Sequence, residues 1–177
     1  SNVARLRTLA EAATSSGRSI CLMGRAMRKM VQAALETGVL DDFPSVISSD
    51  EAQEIPRQNL MLLCTGSQGE RRAATAQLAN GKFQGISLKE GDMVLFSSST
   101  IPGNERDVIR IMNQFSEQGV DVVTDRMGDY HVSGHANRPD LMEMTKSLNR
   151  RWLSRCMANT VICVNMPKLR KMRVTPP

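Results

Sequence analysis

Apolar residues recur along this chain in two rhythms, one at helical spacing and one in short unbroken runs. Val3, Leu6, Leu9, Ala10 and Ala13 share a helical face that Ser15-Ser16-Gly17 ends. Ser19-Ile20-Cys21-Leu22-Met23 follows as a run suited to a buried strand, closed by Gly24. From Arg25 to Thr37, Met27, Met30, Val31, Ala34 and Leu35 fall on one face, and Gly38 stops the helix. A short capped helix is expected at Ser49-Asp50-Glu51-Ala52, ending near Pro56. Asn59 to Cys64 reads as a second strand, and Arg71 to Leu78 as a helix ending at Asn80-Gly81. Phe83 to Leu88 reads as a further short strand, and Asp92 to Phe96 as another. A helix from about Asn104 to Gln118 is expected to bury Val108, Ile109, Ile111, Met112 and Phe115. Asp121 to Thr124 is a last short strand of this series, and Arg138-Pro139-Asp140-Leu141 opens a helix to Leu148 with proline in its first turn.

Strands and helices thus alternate, with connections too long for hairpins. This predicts an α/β fold with a mostly parallel sheet and helices on both faces, of Rossmann-like type. Ligands of such sheets gather beyond the strand C-termini, and three polar turns are expected there. The first is Thr65-Gly66-Ser67-Gln68-Gly69-Glu70, which either presents amides and a helix N-terminus to an anion or is a plain strand-to-helix turn. The second runs from Ser97-Ser98-Ser99 to Glu105. The third, Asp129-Tyr130-His131-Val132-Ser133-Gly134-His135-Ala136, holds both histidines of the chain. Neutral imidazole serves as metal ligand or general base, and Ser133 with Gly134 offers an oxygen or a phosphate donor. A hydrogen-bonded surface loop fits the same residues, and two imidazoles alone make no metal site. Glu70 and Glu105 stand at expected helix starts, where capping accounts for a carboxylate as well as catalysis does.

Composition narrows the classes. A length of 177 residues with 41% hydrophobic content suits one domain with a real core. With 3% aromatics and 12 Met, that core must be aliphatic and methionine-rich. No apolar run reaches membrane-spanning length and no signal peptide is visible, so a cytoplasmic protein without a membrane partner is expected. Cys21, Cys64, Cys156 and Cys163 form no C-x-x-C pair, which argues against disulfides and a zinc knot. The net charge of +5 favours a polyanion only weakly, since Lys168, Arg170, Lys171 and Arg173 carry most of it. Neither G-x-G-x-x-G nor a P-loop lysine is present, so the usual dinucleotide and Walker signatures are missing.

Taken together and in order, T-G-S-Q-G-E at Thr65 to Glu70, S-S-S-x-I-P-G-N-E at Ser97 to Glu105 and H-V-S-G-H-A at His131 to Ala136 resemble ribonuclease J. That family is in the β-CASP branch of the metallo-β-lactamase superfamily. The resemblance runs from about residue 5 to residue 153 and implies a middle piece of a larger protein: a β-CASP domain over 1–125, a return segment over 126–153, and an atypical tail over 154–177. It implies that Ser133 and His135 hold the scissile phosphate, that Gly134 donates its backbone and that His131 supports them. Ser67, Gln68, Ser97, Ser98 and Ser99 would line the same cleft and contact RNA. Zinc is implied for the full-length relatives, whose H-x-H-x-D-H motif is missing here, so no metal is expected in this chain and it should be inactive alone. RNA is the implied partner, with a homodimer or a free-standing nucleotide- or phosphate-binding module as the alternative roles.

The resemblance breaks after Trp152-Leu153, where relatives continue with Pro-Val-His-Gly-Glu. Synonymous codons for Ser154 to Lys168 can be chosen so that the frame beginning at the third base spells Pro-Val-His-Gly-Glu-Tyr-Arg-His-Met-Arg-Glu. The expectation is therefore a frameshift just before Ser154, with the tail as out-of-frame peptide.

Overall fold

The computed structural model of the chain describes residues 3–134, 136–148, 152–157 and 160–165. Two compact units divide it, Ser1–Val132 and Ser133–Pro177.

The first unit is built around strand β1 (Ser19–Met23), which is parallel to β2 (Val46–Ile47) on one side and to β3 (Leu60–Cys64) on the other. Ile20 pairs with Val46, and Ser19 to Met23 pair in step with Leu60 to Cys64. A strand with neighbours on both edges and helices on both faces needs apolar side chains at every position, hence the unbroken Ile-Cys-Leu-Met run. Its side chains alternate between two cores. Ile20 and Leu22 meet helix α1 (Val3–Ser15) through Leu6, Ala10 and Ala13, and helix α2 (Arg25–Glu36) through Met27, Val31 and Ala34. Cys21 and Met23 face the other core. That one is formed by Ala52 of helix α3 (Glu51–Glu54), Ala74, Ala76, Leu78 and Ala79 of helix α4 (Ala74–Ala79), and Ile111 and Phe115 of helix α5 (Glu105–Glu117). Each large side chain buried this way contributes about 1.5–3 kcal/mol. Both Cys21 and Cys64 are free thiols, and burial pushes the Cys64 thiol up to about 12.

Strand β4 (Met93–Leu95), α5 and strand β5 (Asp121–Val123) form a parallel β-α-β unit, with Met93 to Leu95 in register with Asp121 to Val123. Val94 and Val122 pack on the second core, while Met93 and Leu95 lie exposed on the opposite face. Arg57 joins the entries of β3 and β4: its guanidinium pairs with the Asp92 carboxylate and donates to the Ser87 carbonyl at 2.9 Å. Lys89 N–H adds a bond of 2.8 Å to the same carboxylate.

Several expectations are corrected here. The helix expected from Arg71 begins at Ala74, because Glu70 to Ala73 closes a turn through Ala73 N–H and Glu70 C=O at 3.0 Å. Phe83 to Leu88 is a tight turn, not a strand: Gln84 and Gly85 both take positive φ, 50° and 81°, and Phe83 and Ile86 exchange both backbone bonds. The cap of α3 is Ser48 rather than Ser49; its hydroxyl accepts Glu51 N–H while Glu51 accepts Ser48 N–H, a reciprocal capping box. Leu35 and Ile109 sit at the margins of their helical stripes and are 43% and 54% exposed, and Met30 is half-buried. The two-residue β2 carries no periodicity to read.

In the second unit, helix α6 (Arg138–Leu148) is also opened by a reciprocal cap, Asn137 with Asp140, each bond 3.0 Å. Strands β6 (Trp152–Met157) and β7 (Thr160–Asn165) pair antiparallel, from Trp152 opposite Asn165 to Met157 opposite Thr160.

Candidate functional site

The strand run to Cys64 delivers the chain into the first polar turn. Thr65 C=O accepts both the Thr75 N–H, at 3.1 Å, and the Thr75 hydroxyl, at 2.7 Å. This ties the turn's start to the first residues of α4, and it leaves that amide engaged rather than offered to an anion. Two glycines shape the rest. Gly66 has φ +108°, and a Cβ there would lie 2.3 Å from the Ala73 Cβ. Gly69 has φ +84° and a Cβ would fall 2.7 Å from the Asp107 carbonyl carbon, so the turn rests directly on the backbone of α5.

Gln68 connects this turn to the one after β4. Its amide nitrogen donates to Ser99 C=O at 3.0 Å, and its amide oxygen accepts Ile101 N–H at 2.9 Å. Both ends of the side chain are therefore held by backbone, which makes Gln68 a staple between turns. Glu70 accepts Gln68 N–H at 3.1 Å and Glu105 accepts Gly103 N–H at 2.8 Å, so both carboxylates hold their own turns together. Glu105 with Asp107 also places negative charge at the α5 N-terminus, where the helix dipole favours it.

The serine turn in its own right binds the segment after β5. Ser97 Oγ donates to Tyr130 C=O at 2.6 Å and Ser99 Oγ to Asp125 Oδ2 at 2.5 Å. Between them Ser98 Oγ is buried, and among the described residues it has no hydrogen-bond partner. A hydroxyl removed from water without a partner costs about 1–3 kcal/mol. Ser67 is half-buried within the first turn. The turns following β3, β4 and β5 are thus linked in series by Gln68, Ser97 and Ser99.

His131 closes the series. Arg5 on α1 donates from Nη2 to His131 Nδ1 at 3.0 Å and to Val132 C=O at 3.2 Å. No sequence rhythm pointed to Arg5; its partner is 126 residues away. Ser133 and Gly134 open the second unit, and His135 lies outside the described residues. No three His, Cys, Asp or Glu side chains converge among the described residues, and a guanidinium occupies the Nδ1 of His131. A concavity lined by Arg106, Ile109, Arg110, Asn113, Gln114 and Glu117 is on the exposed flank of α5, and none of the turn serines line it.

Comparison with known proteins shows the family of the chain. The family described as Ribonuclease J, beta-CASP domain, matches residues 1–115. The ribonuclease J of Sinorhizobium meliloti is 41% identical over 144 residues, 81% of this chain and 26% of the relative. Ribonuclease J 1 of Streptococcus pyogenes serotype M3 is 39% identical over 141 residues, covering 79% and 25% respectively. The ribonuclease J of Mycoplasma pneumoniae is 34% identical over 155 residues, covering 86% and 27%. The chain spans about a quarter of the length of these curated relatives.

Proposed function

The chain belongs to the ribonuclease J family through its β-CASP domain, and from that premise we propose that it is the RNA-clamping part of a phosphodiester hydrolase acting in RNA processing and decay. The observation that carries this is the series of joined turns beyond β3, β4 and β5. An RNA phosphate is an anion that accepts hydrogen bonds, and hydroxyls and amides fixed in place bind it without reorganising. Ser133, Gly134 and His135 carry the family's phosphate-holding motif and are proposed, from that resemblance, to hold the scissile phosphate. Ser67, Ser97 and Ser99 line the approach, while Gln68 keeps two turns at fixed separation.

Hydrolysis is a different matter. In the proposed parent, bound zinc would supply water activation. The H-x-H-x-D-H motif is missing from this sequence, so we propose that this chain alone positions the substrate and does not cut it. A cytoplasmic setting is part of the same proposal; among the described residues no helix is long and apolar enough to cross a membrane. Self-association is a secondary expectation, read by light scattering.

The test is a labelled single-stranded RNA carrying a 5′ phosphate, titrated into the purified chain with and without added zinc. Weak, salt-sensitive binding without cleavage is expected, reduced by Ser67→Ala and Ser133→Ala. Zinc-dependent cleavage by the purified chain, or binding indifferent to both serines, would contradict the proposal. The frameshift proposed for the tail is read by sequencing the gene across Trp152 to Lys168: an open shifted frame encoding His-Gly-Glu supports it, and early stops in every frame overturn it.

A further inference from the structure

We propose that Arg5 is a positioning residue for the histidine loop, fixing the tautomer of His131 and the backbone at Val132 so that His131 presents an Nε2–H donor. The inference rests on the RNA-binding reading for its purpose, and on geometry for its substance. A guanidinium has five donors and no acceptor, so the 3.0 Å contact to Nδ1 requires that nitrogen to offer its lone pair. The neutral imidazole then carries its proton on Nε2. A general base acting through Nε2 would need the opposite tautomer, and a metal ligand acting through Nδ1 would displace the guanidinium. What remains is a hydrogen-bond donor suited to an anionic oxygen such as that of a phosphate.

The second bond extends the same control to the main chain. Arg5 also holds the Val132 carbonyl at 3.2 Å, and Ser97 holds the carbonyl of Tyr130 at 2.6 Å. The residues on either side of His131 are thereby pinned from α1 and from the serine turn, directly before Ser133. Side chain and backbone are set by one cation. Arg5 is half-buried, and its helix is anchored independently by Leu6, Ala10 and Ala13, so loss of the guanidinium leaves the packing of α1 intact.

The chain has two histidines, so His135→Asn leaves His131 as the single imidazole for nitrogen NMR. In that background the expected spectrum shows a protonated Nε2 and an unprotonated Nδ1. Arg5→Met should yield a mixture of tautomers and shifted His131 and Val132 amides, and Arg5→Lys should restore part of the original pattern. Arg7→Met, on the same helix, controls for general effects and should leave His131 unchanged. Identical tautomer populations and unchanged amides in Arg5→Met would overturn the assignment; if that variant fails to fold, an Arg5→Lys spectrum with the two tautomers mixed as in free histidine, or a wild-type imidazole protonated on Nδ1, would do so.

RNA binding is measured separately, on chains that retain His135. Arg5→Met should weaken it about tenfold, the size of one charge-assisted hydrogen bond. A tautomer change without any RNA binding by the wild-type chain would uphold the Arg5 assignment and defeat the functional reading. Intact binding with no tautomer change would do the reverse.

Discussion

Around β1, Ile20, Cys21, Leu22 and Met23 are buried among helices on both faces; beyond the ends of β3, β4 and β5, half-exposed turns are held by Gln68, Ser97, Ser99 and two glycines. The first region is stabilised by apolar area, which tolerates some exchange of side chains as long as volume is kept. In the second, Gln68, Ser97 and Ser99 each have a specified partner, and little area stands behind them. Loss of a core side chain should therefore reduce stability and leave the turns' geometry to follow, whereas loss of a turn contact should alter binding well before stability.

The largest effect expected is in the core. Phe115→Ala removes one of the most buried large side chains and should reduce unfolding free energy by about 3–5 kcal/mol in urea titrations. Next is Gly69→Ala, which breaks the comparison from the other side because a turn residue then acts on stability. Its φ of +84° alone costs about 1–3 kcal/mol, and the contact with the Asp107 backbone displaces α5. Denaturation midpoints read both. A smaller change, Gln68→Ala, should lower stability by only about 1 kcal/mol while weakening RNA binding more than fivefold, as the serine turn loses its spacing.

The smallest effect is the pH response of the clamp between Arg57 and Asp92. Burial alone would raise the Asp92 carboxyl, but the Arg57 guanidinium and Lys89 N–H outweigh it and hold it below the ordinary carboxylate range. The native state thus binds this proton less readily than the unfolded chain. The clamp's contribution is present in full above the unfolded value of about 3.9 and fades as pH falls through the lower folded value. Because Arg57 is 45% exposed, about 1 kcal/mol or less is expected. Stability of Asp92→Asn compared with the parent from pH 7 to pH 3 reads it: the gap should close at low pH.

The two regions also differ in how far the sequence revealed them. Helix α2 was legible from Met27, Val31 and Ala34, and β1 from its apolar run, because burial imposes a period on the chain. Leu35 and Ile109 show the resolution of that reading, since a residue at the margin of a stripe is settled by which neighbour covers it. The turn over Gln84 and Gly85 was misread as strand because Phe83 and Ile86 flank it with apolar residues. In the site, the polar turns could be placed at strand ends, but the roles within them could not. Gln68 looks like a ligand contact in sequence and is a staple in the structure, while Arg5 looks like an ordinary helix surface residue and meets His131. Such contacts join residues far apart in the chain and obey no spacing.

In the proposed function the joined turns, rather than the flank of α5, receive RNA. Amide chemical shifts of the labelled chain, followed as a 5′-phosphorylated oligoribonucleotide is added, test it most directly. Changes are expected at Ser67, Gln68, Ser97 to Ser99 and His131 to Gly134, with the face lined by Arg106, Arg110 and Glu117 unmoved. Changes confined to that α5 face, with the turns silent at saturation, would contradict it.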